Sequence, residues 1–220
     1  MKQPLRYPLH AAGGAALGGG GRPGLLPYGD VPGEYAAAQE ACALFDQTAR
    51  GLVQVRGEEA AAFLHRLLAN RVRDLAPGQG DRNLLRSSKG KVLHDFDLAV
   101  GAEGILLSTP PGTAGALLTA LDMYHFSEEV ELEDASERHA PVALAGPRVA
   151  RLVQSVLGVA PPVEDHAHTT GTLDGHPVEV LSLPVAGSPG VRRAPAPEAA
   201  EALSRSLVPA GARPPGLVVY

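Results

Sequence analysis

The segment Ser87–Val100 has the pattern of a β-hairpin, and it constrains the fold more than any other part of the chain. It opens with SSKG, which is typical of a turn, and Gly90 can adopt the positive φ that a tight turn requires. From Val92 onwards, more apolar and more polar residues alternate, and this period of two sends successive side chains to opposite faces of a strand. Asp95 and Asp97 therefore share the less apolar face of the predicted strand.

This acidic face has two interpretations. A carboxylate on a rigid strand beside a turn is well placed to meet a ligand, and Asp95 and Asp97 point to the same side as Lys91. An ordinary solvated strand face has the same pattern, because charged side chains are mostly exposed. The strand alone leaves both interpretations open.

Helical and strand patterns are interleaved along the chain. Several neighbouring strands are joined by short turns, which favours an α+β fold with a mainly antiparallel sheet over a doubly wound parallel one. We expect a Gly- and Pro-rich N-terminal segment over residues 1–33 and one α+β domain over residues 34–220. The predicted helices are Glu34–Leu44, Glu58–Asn70, Thr113–Phe126, a segment that follows Gly146-Pro147, and Pro197–Leu207, and a second hairpin is predicted over 172–183.

Composition excludes some classes of function. The net charge of −5 argues against a dedicated nucleic-acid binder, whose affinity comes mostly from a basic surface. Cys42 is the only cysteine, so one chain can form neither a disulfide nor a CxxC metal site, and we expect a buried thiol. The N-terminus lacks a continuous apolar stretch of the signal-peptide type, and no run is long enough for a membrane span. These features predict a cytoplasmic protein without a membrane partner.

A second cluster of polar residues is the segment EDHAH, which contains His166 and His168. Its His-x-His spacing beside two carboxylates is of a kind that binds transition metals. No second cluster completes a coordination shell, and two prolines precede the segment. A solvated loop is therefore the favoured interpretation, and we predict no metal.

Five short sequence motifs follow one another in a distinctive order. They are ALFD at 43–46, FLHRLLAN at 63–70, KGKVLHD at 89–95, VELED at 130–134 and LAGP at 144–147. Their order and spacing resemble the folate-binding region of the glycine cleavage T-protein superfamily. That superfamily includes aminomethyltransferases, folate-dependent demethylating enzymes and folate-binding proteins of iron–sulfur cluster assembly linked to tRNA modification. The Lys-Gly-Lys turn resembles the last branch more closely.

The resemblance implies tetrahydrofolate as the cofactor, held in a central cavity. Asp95 matches the family's aspartate beside the folate nitrogen that attacks the methylene carbon, where it orients that nitrogen and stabilises positive charge as ammonia leaves. Asp95 is therefore the expected catalytic and folate-binding residue, with Asn70 and Lys91 as further folate-binding candidates. The family's C-terminal barrel would follow Tyr220 and is absent from this sequence.

Several positions differ from the superfamily pattern. Ala49, Arg71, Arg82 and Ser188 stand where relatives carry histidine, aspartate, tyrosine and glutamate, respectively. The leading hypothesis is therefore a tetrahydrofolate-binding protein with an eroded active site, acting as a one-carbon or iron–sulfur-cluster accessory protein. An active folate-dependent aminomethyltransferase and a scaffold that kept only the fold are the alternatives.

Basic side chains bracket the hairpin, and they bear on which partner the protein meets. Their charge could attract the glutamate tail of a folate or an RNA backbone. A solvated rim of the hairpin is the favoured interpretation, because surface charges are usually of this kind. The residues concerned are Arg82, Arg86, Lys89 and Lys91.

Overall fold

The computed structural model describes residues 31–213 apart from 186, 194 and 196. Most of the predicted Gly- and Pro-rich segment, residues 1–30, lies outside the described residues. The fold is α+β with two five-stranded sheets whose registered strand pairs are antiparallel, which confirms the predicted fold class. The described chain divides into two compact units, one formed by 31–49, 139–163 and 169–213 and the other by 50–138 and 164–168.

The elements alternate along the chain much as the sequence pattern indicates. None of the helices formed by the described residues combines the length and the apolar character needed to cross a membrane. In chain order the elements are α1 (Val31–Glu40), β1 (Ala43–Asp46), β2 (Gly51–Arg56), α2 (Ala60–Leu67), β3 (Gly80–Arg86), β4 (Val92–Gly101), β5 (Gly104–Thr109), α3 (Ala114–Asp122), β6 (Glu131–Asp134), a short 3₁₀ helix (Ser136–Arg138), β7 (Val142–Ala145), α4 (Val149–Leu157), β8 (His168–Leu173), β9 (His176–Ser182), β10 (Gly190–Arg193) and α5 (Pro197–Leu207).

The first unit is built on the sheet with strand order β1-β7-β10-β9-β8. Strand β7, which lies between β1 and β10, is buried along its whole length, and the apolar face of α4 packs into the same core. Cys42 is 2% exposed within this core, which confirms the predicted buried thiol. The predicted hairpin over 172–183 is also present, with its turn at Asp174-Gly175 between β8 and β9.

The predicted helix Glu34–Leu44 is wrong at its C-terminal end. Helix α1 ends at Glu40, and Ala43–Asp46 instead forms β1, which pairs with β7. The alanine-rich stretch has good helix propensity, yet Leu44 and Phe45 are 1% and 2% exposed in the sheet. Burial of a short apolar run that pairs with β7 therefore outweighs the local preference.

The second unit is built on the sheet with strand order β3-β4-β5-β2-β6. One face of this sheet contributes Phe96, Leu98 and Leu107 to an apolar core that also contains side chains of α2 and α3. Helix α2 is shorter than the predicted Glu58–Asn70, because Leu68 is already extended and bridges to Leu85 of β3. The chain after α2 is thereby held against the edge of the sheet.

The predicted hairpin is present as β3, a turn and β4. Gly90 has φ 78° and its N–H donates to the Ser87 carbonyl, as expected for the turn. Arg86 lies opposite Val92, but the next pair is Leu85 with His94. Leu93 therefore has no partner in the ladder between β3 and β4. This shift is a β-bulge, and it continues along the ladder to place Arg82 opposite Asp97.

Two glycines of the second unit permit a matched test of local strain. Both have positive φ, but a Cβ at Gly57 would lie 2.0 Å from the Glu129 carbonyl oxygen, whereas a Cβ at Gly90 meets nothing within 4 Å. We expect Gly90→Ala to lower the free energy of unfolding by about 1–2 kcal/mol and Gly57→Ala to lower it clearly more. Urea unfolding followed by circular dichroism measures both, and equal losses would contradict the steric argument.

The loop between α3 and β6 is organised around the carboxylate of Glu128. This carboxylate pairs with Arg66 and accepts hydrogen bonds from the backbone N–H groups of Phe126 and Ser127. The Arg66 hydrogen bond first, and the backbone donors after it, lower the pKa of Glu128 from its ordinary 4.5 to about 2. The charged form of Glu128 therefore stabilises this loop.

A pH-dependent stability follows for Glu128. A carboxyl group with a lowered pKa in the folded state stabilises the fold above its unfolded pKa, and loses that effect as the pH falls through the folded pKa. We expect Glu128→Gln to be less stable than the parent protein at pH 7, and the gap to close between pH 4.5 and about pH 2. Chemical unfolding of both proteins across this range measures the gap, and a constant difference would argue against the account.

Candidate functional site

Asp95 lies on β4 with half of its side chain accessible. The Arg82 guanidinium of β3 donates from Nη2 to Asp95 Oδ2 at 2.7 Å, and the two side chains are 65% and 43% exposed, respectively. Arg82 stands directly opposite Asp97, so it reaches Asp95 diagonally across the two strands. Within the described residues, Asp95 Oδ1 accepts no hydrogen bond. Asp95 therefore presents one oxygen to an arginine and one to its surroundings.

Asp97 lies on the same face of β4, but it is buried. It is 7% exposed, and its carboxylate meets Arg50 Nη2 at 3.5 Å and His166 Nε2 at 3.3 Å. Arg50 is fixed in turn by Ser108 of β5, donating to the hydroxyl and to the carbonyl oxygen at 3.0 Å each. Asp97 is thus neither a solvated surface residue nor an open ligand site, and it holds a buried network together.

The segment that contains His166 is a loop before β8, as predicted, and Glu164 and Asp165 are exposed, but His166 and His168, the first residue of β8, are half-buried against β3 and β4. The His168 N–H donates to the Gly78 carbonyl, and His168 Nε2 lies 2.9 Å from the Val100 carbonyl oxygen. His166 has φ 62°, and its carbonyl oxygen approaches Gly80 so closely that a Cβ there would lie 2.7 Å away. Among the described residues, no three His, Cys, Asp or Glu side chains group closely enough to hold a metal ion.

Of the two further predicted site residues, the structure brings only Asn70 close to the Arg82–Asp95 pair. Asn70 Nδ2 donates to the Arg82 carbonyl at 2.9 Å, and its backbone N–H donates to Oδ1 of the buried Asn83. Lys91 is exposed in the hairpin turn. It precedes Asp95 by four residues, which is about 13 Å along an extended strand. Asn70 is therefore joined to the pair by a hydrogen bond, whereas folate binding by Lys91 stays a prediction.

Sequence reasoning missed the partners of both aspartates. Arg50 and His166 lie 47 and 69 residues from Asp97 along the chain, so no local motif connects them. The hairpin pattern would have predicted the Arg82–Asp95 pair only if the β-bulge at Leu93 had been predicted as well. Each of the two aspartates is thus paired with a guanidinium group, Asp95 with that of Arg82 and Asp97 with that of Arg50.

The two arginine–aspartate pairs differ in burial, and this predicts different costs of removing the arginine. Losing Arg50 leaves Asp97 charged in a buried place, which destabilises by about 3 kcal/mol or more. Losing Arg82 breaks an exposed pair, which costs less than about 1 kcal/mol. The unfolding free energies of Arg50→Met and Arg82→Met measure this contrast. Similar values for the two variants would contradict the assignment of roles.

Curated relatives named as aminomethyltransferases match most of this chain in sequence. The chain is 34% identical over 197 residues to an aminomethyltransferase of Thermus thermophilus, covering 88% of this chain and 56% of that relative. An aminomethyltransferase of Rubrobacter xylanophilus is 31% identical over 204 residues, covering 87% of this chain and 52% of the relative. The chain thus spans a little over half the length of these curated relatives.

Solved structures share the fold. The glycine cleavage system aminomethyltransferase T from Bartonella henselae superposes with a TM-score of 0.84 at 24% identity, covering 98% of this chain and 59% of that chain. A heterotetrameric sarcosine oxidase from Corynebacterium sp. U-96 gives a TM-score of 0.58 at 18% identity, covering 82% of this chain and 90% of that one. Residues 27–213 match the family described as the GCVT N-terminal domain. The chain therefore belongs to that family, within the glycine cleavage T-protein superfamily.

Proposed function

We propose that this chain binds a reduced folate at the Asp95 side of the β3–β4 hairpin, and that it serves as an accessory protein of one-carbon or iron–sulfur-cluster metabolism. The proposal rests on the exposure and the hydrogen bonding of Asp95. Its side chain is half-exposed on a strand, and among the described residues one of its carboxylate oxygens has no protein donor. Membership of a folate-binding family supports the choice of ligand.

The residues present fit a pterin-type ligand in their hydrogen-bonding character. A pterin ring carries N–H donors that a carboxylate accepts, and carbonyl and ring-nitrogen acceptors that a guanidinium serves. Asp95 Oδ1 offers the acceptor, Arg82 offers the donors, and Asn70 lies beside them through its hydrogen bond to the Arg82 carbonyl. Bound tetrahydrofolate would supply the nitrogen that carries the one-carbon unit.

The Arg82–Asp95 pair favours binding over efficient aminomethyl transfer. A carboxylate stabilises developing positive charge best when no cation already neutralises it. Asp95 is held at 2.7 Å by a guanidinium, so its field is largely cancelled nearby. This supports the interpretation of an eroded active site, which the exchanges at Ala49, Arg71, Arg82 and Ser188 also indicate.

An active aminomethyltransferase is the second candidate, because two aminomethyltransferases are 34% and 31% identical to this chain over 197 and 204 aligned residues. The same half-exposed carboxylate would then orient the folate nitrogen. Folate-dependent release of ammonia from an aminomethyl-loaded carrier protein, abolished in Asp95→Ala, would favour this candidate. Binding without such turnover would favour the accessory role.

Isothermal titration with tetrahydrofolate under anaerobic conditions tests the binding proposal. We expect saturable binding, weakened about tenfold or more in Asp95→Asn because a charge-assisted hydrogen bond is lost. Glu133→Gln is the matched control, since Glu133 is also 43% exposed and pairs with arginines. Absence of saturable binding at high micromolar folate, with the fold intact, would leave only the scaffold interpretation.

A further inference from the structure

The turn of the β3–β4 hairpin concentrates positive charge in a chain whose net charge is −5. Three cationic side chains are exposed there, and none of them forms an ion pair with a described residue. They are Arg86, Lys89 and Lys91. Two apolar side chains stand beside them, because Val92 and Leu93 are 56% and 51% exposed. This surface, residues 86–93, is called the basic tip.

The loop between α3 and β6 presents a surface of the opposite charge in the same unit. Its large apolar side chains Met123, Tyr124 and Phe126 are 62%, 42% and 84% exposed, respectively. Exposed carboxylates flank them at Asp122 and Glu129. Apolar side chains grouped on a surface and rimmed by polar residues commonly mark an interaction site. This surface, residues 122–129, is called the acidic patch.

The loop holds Phe126 in a fixed position. The Phe126 backbone N–H donates to the Glu128 carboxylate, which Arg66 of α2 also binds. The neighbouring His125 ring packs edge-on against Phe63 of the core, with 6.1 Å between the ring centroids. An exposed aromatic side chain on an ordered backbone loses less conformational entropy when a partner binds it.

The basic tip and the acidic patch lie at opposite corners of the sheet of the second unit. Strand β6 is one edge strand and begins at Glu131, just after the patch, opposite Arg56 at the end of β2. The end of β2 and the end of β4 both pair with the start of β5. The tip is instead where β4 begins, next to the other edge strand, β3. Strand spacing and rise put the two surfaces roughly 30 Å apart, so one chain cannot join them.

We propose that the basic tip of one copy docks on the acidic patch of a second copy of this chain. The two surfaces are complementary in charge, and each exposes apolar side chains beside its charges. Phe126 is the anchor of the contact, as aromatic side chains commonly are at interfaces, and it packs against Val92 and Leu93. Because two different surfaces meet, the contact is heterologous, and its repetition forms a ring or an open chain of copies. The proposal does not depend on folate binding.

Sedimentation velocity across the micromolar range tests whether the chain associates with itself. We expect the weight-average sedimentation coefficient to rise with concentration at low salt. The rise should be smaller in about 1 M salt, because screening reduces the attraction between exposed charges. A parent protein that stays monomeric at every concentration at low salt would overturn the proposal.

One variant of each surface tests which residues carry the contact. We expect Lys89→Glu/Lys91→Glu and Phe126→Ser each to weaken association about tenfold or more, as at an interface hot spot. Every substituted side chain is exposed, so the circular dichroism spectra should not change. Parent-like association of either variant would overturn the assignment of these surfaces.

Arg148→Glu/Arg151→Glu is the matched control. Both arginines are exposed at the N-terminal end of α4 in the first unit, and the double exchange alters the net charge by the same amount as the lysine variant. It should leave association unchanged. An equal loss in this control would show a general effect of net charge and would overturn the proposal.

Mixing the two interface variants separates a tip-to-patch contact from any other kind of self-association. The lysine variant keeps its acidic patch and the Phe126→Ser variant keeps its basic tip, so the mixture contains one intact pair of surfaces. We expect an equimolar mixture to associate where neither variant does so alone. A mixture that remains monomeric would overturn the proposal.

Discussion

The pairing register between β3 and β4 is the constraint on which the site depends. At the turn Arg86 lies opposite Val92, and a ladder without irregularity would place Arg82 opposite Phe96, on the face that packs into the core. Because Leu93 has no partner on β3, every later pair in the ladder is shifted by one residue. A shift of one residue changes the face of the sheet on which a side chain lies, and it pairs Arg82 with Asp97 instead of Phe96. Arg82 consequently shares a face with Asp95 and Asp97.

The two aspartates are chemically identical and two residues apart, yet their surroundings give them different roles. Asp97 is covered by the segment that contains His166 and is neutralised by Arg50, so its carboxylate stabilises the structure. Asp95 lies nearer the hairpin turn, where its one partner is itself exposed. A buried pair fixes geometry at the cost of desolvation, whereas an exposed pair remains able to exchange partners with a ligand.

Local sequence pattern predicted much of this fold, for reasons that are themselves local. Alternation from Val92 to Val100 and the turn chemistry at Gly90 identified the hairpin, because strand period and positive φ are properties of neighbouring residues. The same reasoning failed at Ala43–Asp46, where pairing with β7 decides the structure. It also missed Arg50 and His166, whose contacts with Asp97 join distant parts of the chain. The candidate carboxylate was predictable, but its partners required the fold.

The central claim is that the Arg82–Asp95 pair is where the chain meets its ligand. A crystal structure of this chain grown with 5-formyltetrahydrofolate measures that contact most directly. The account predicts a bound folate with one of its N–H groups within hydrogen-bond distance of Asp95 Oδ1. A folate bound elsewhere, with the Arg82–Asp95 pair unchanged and facing solvent, would contradict it.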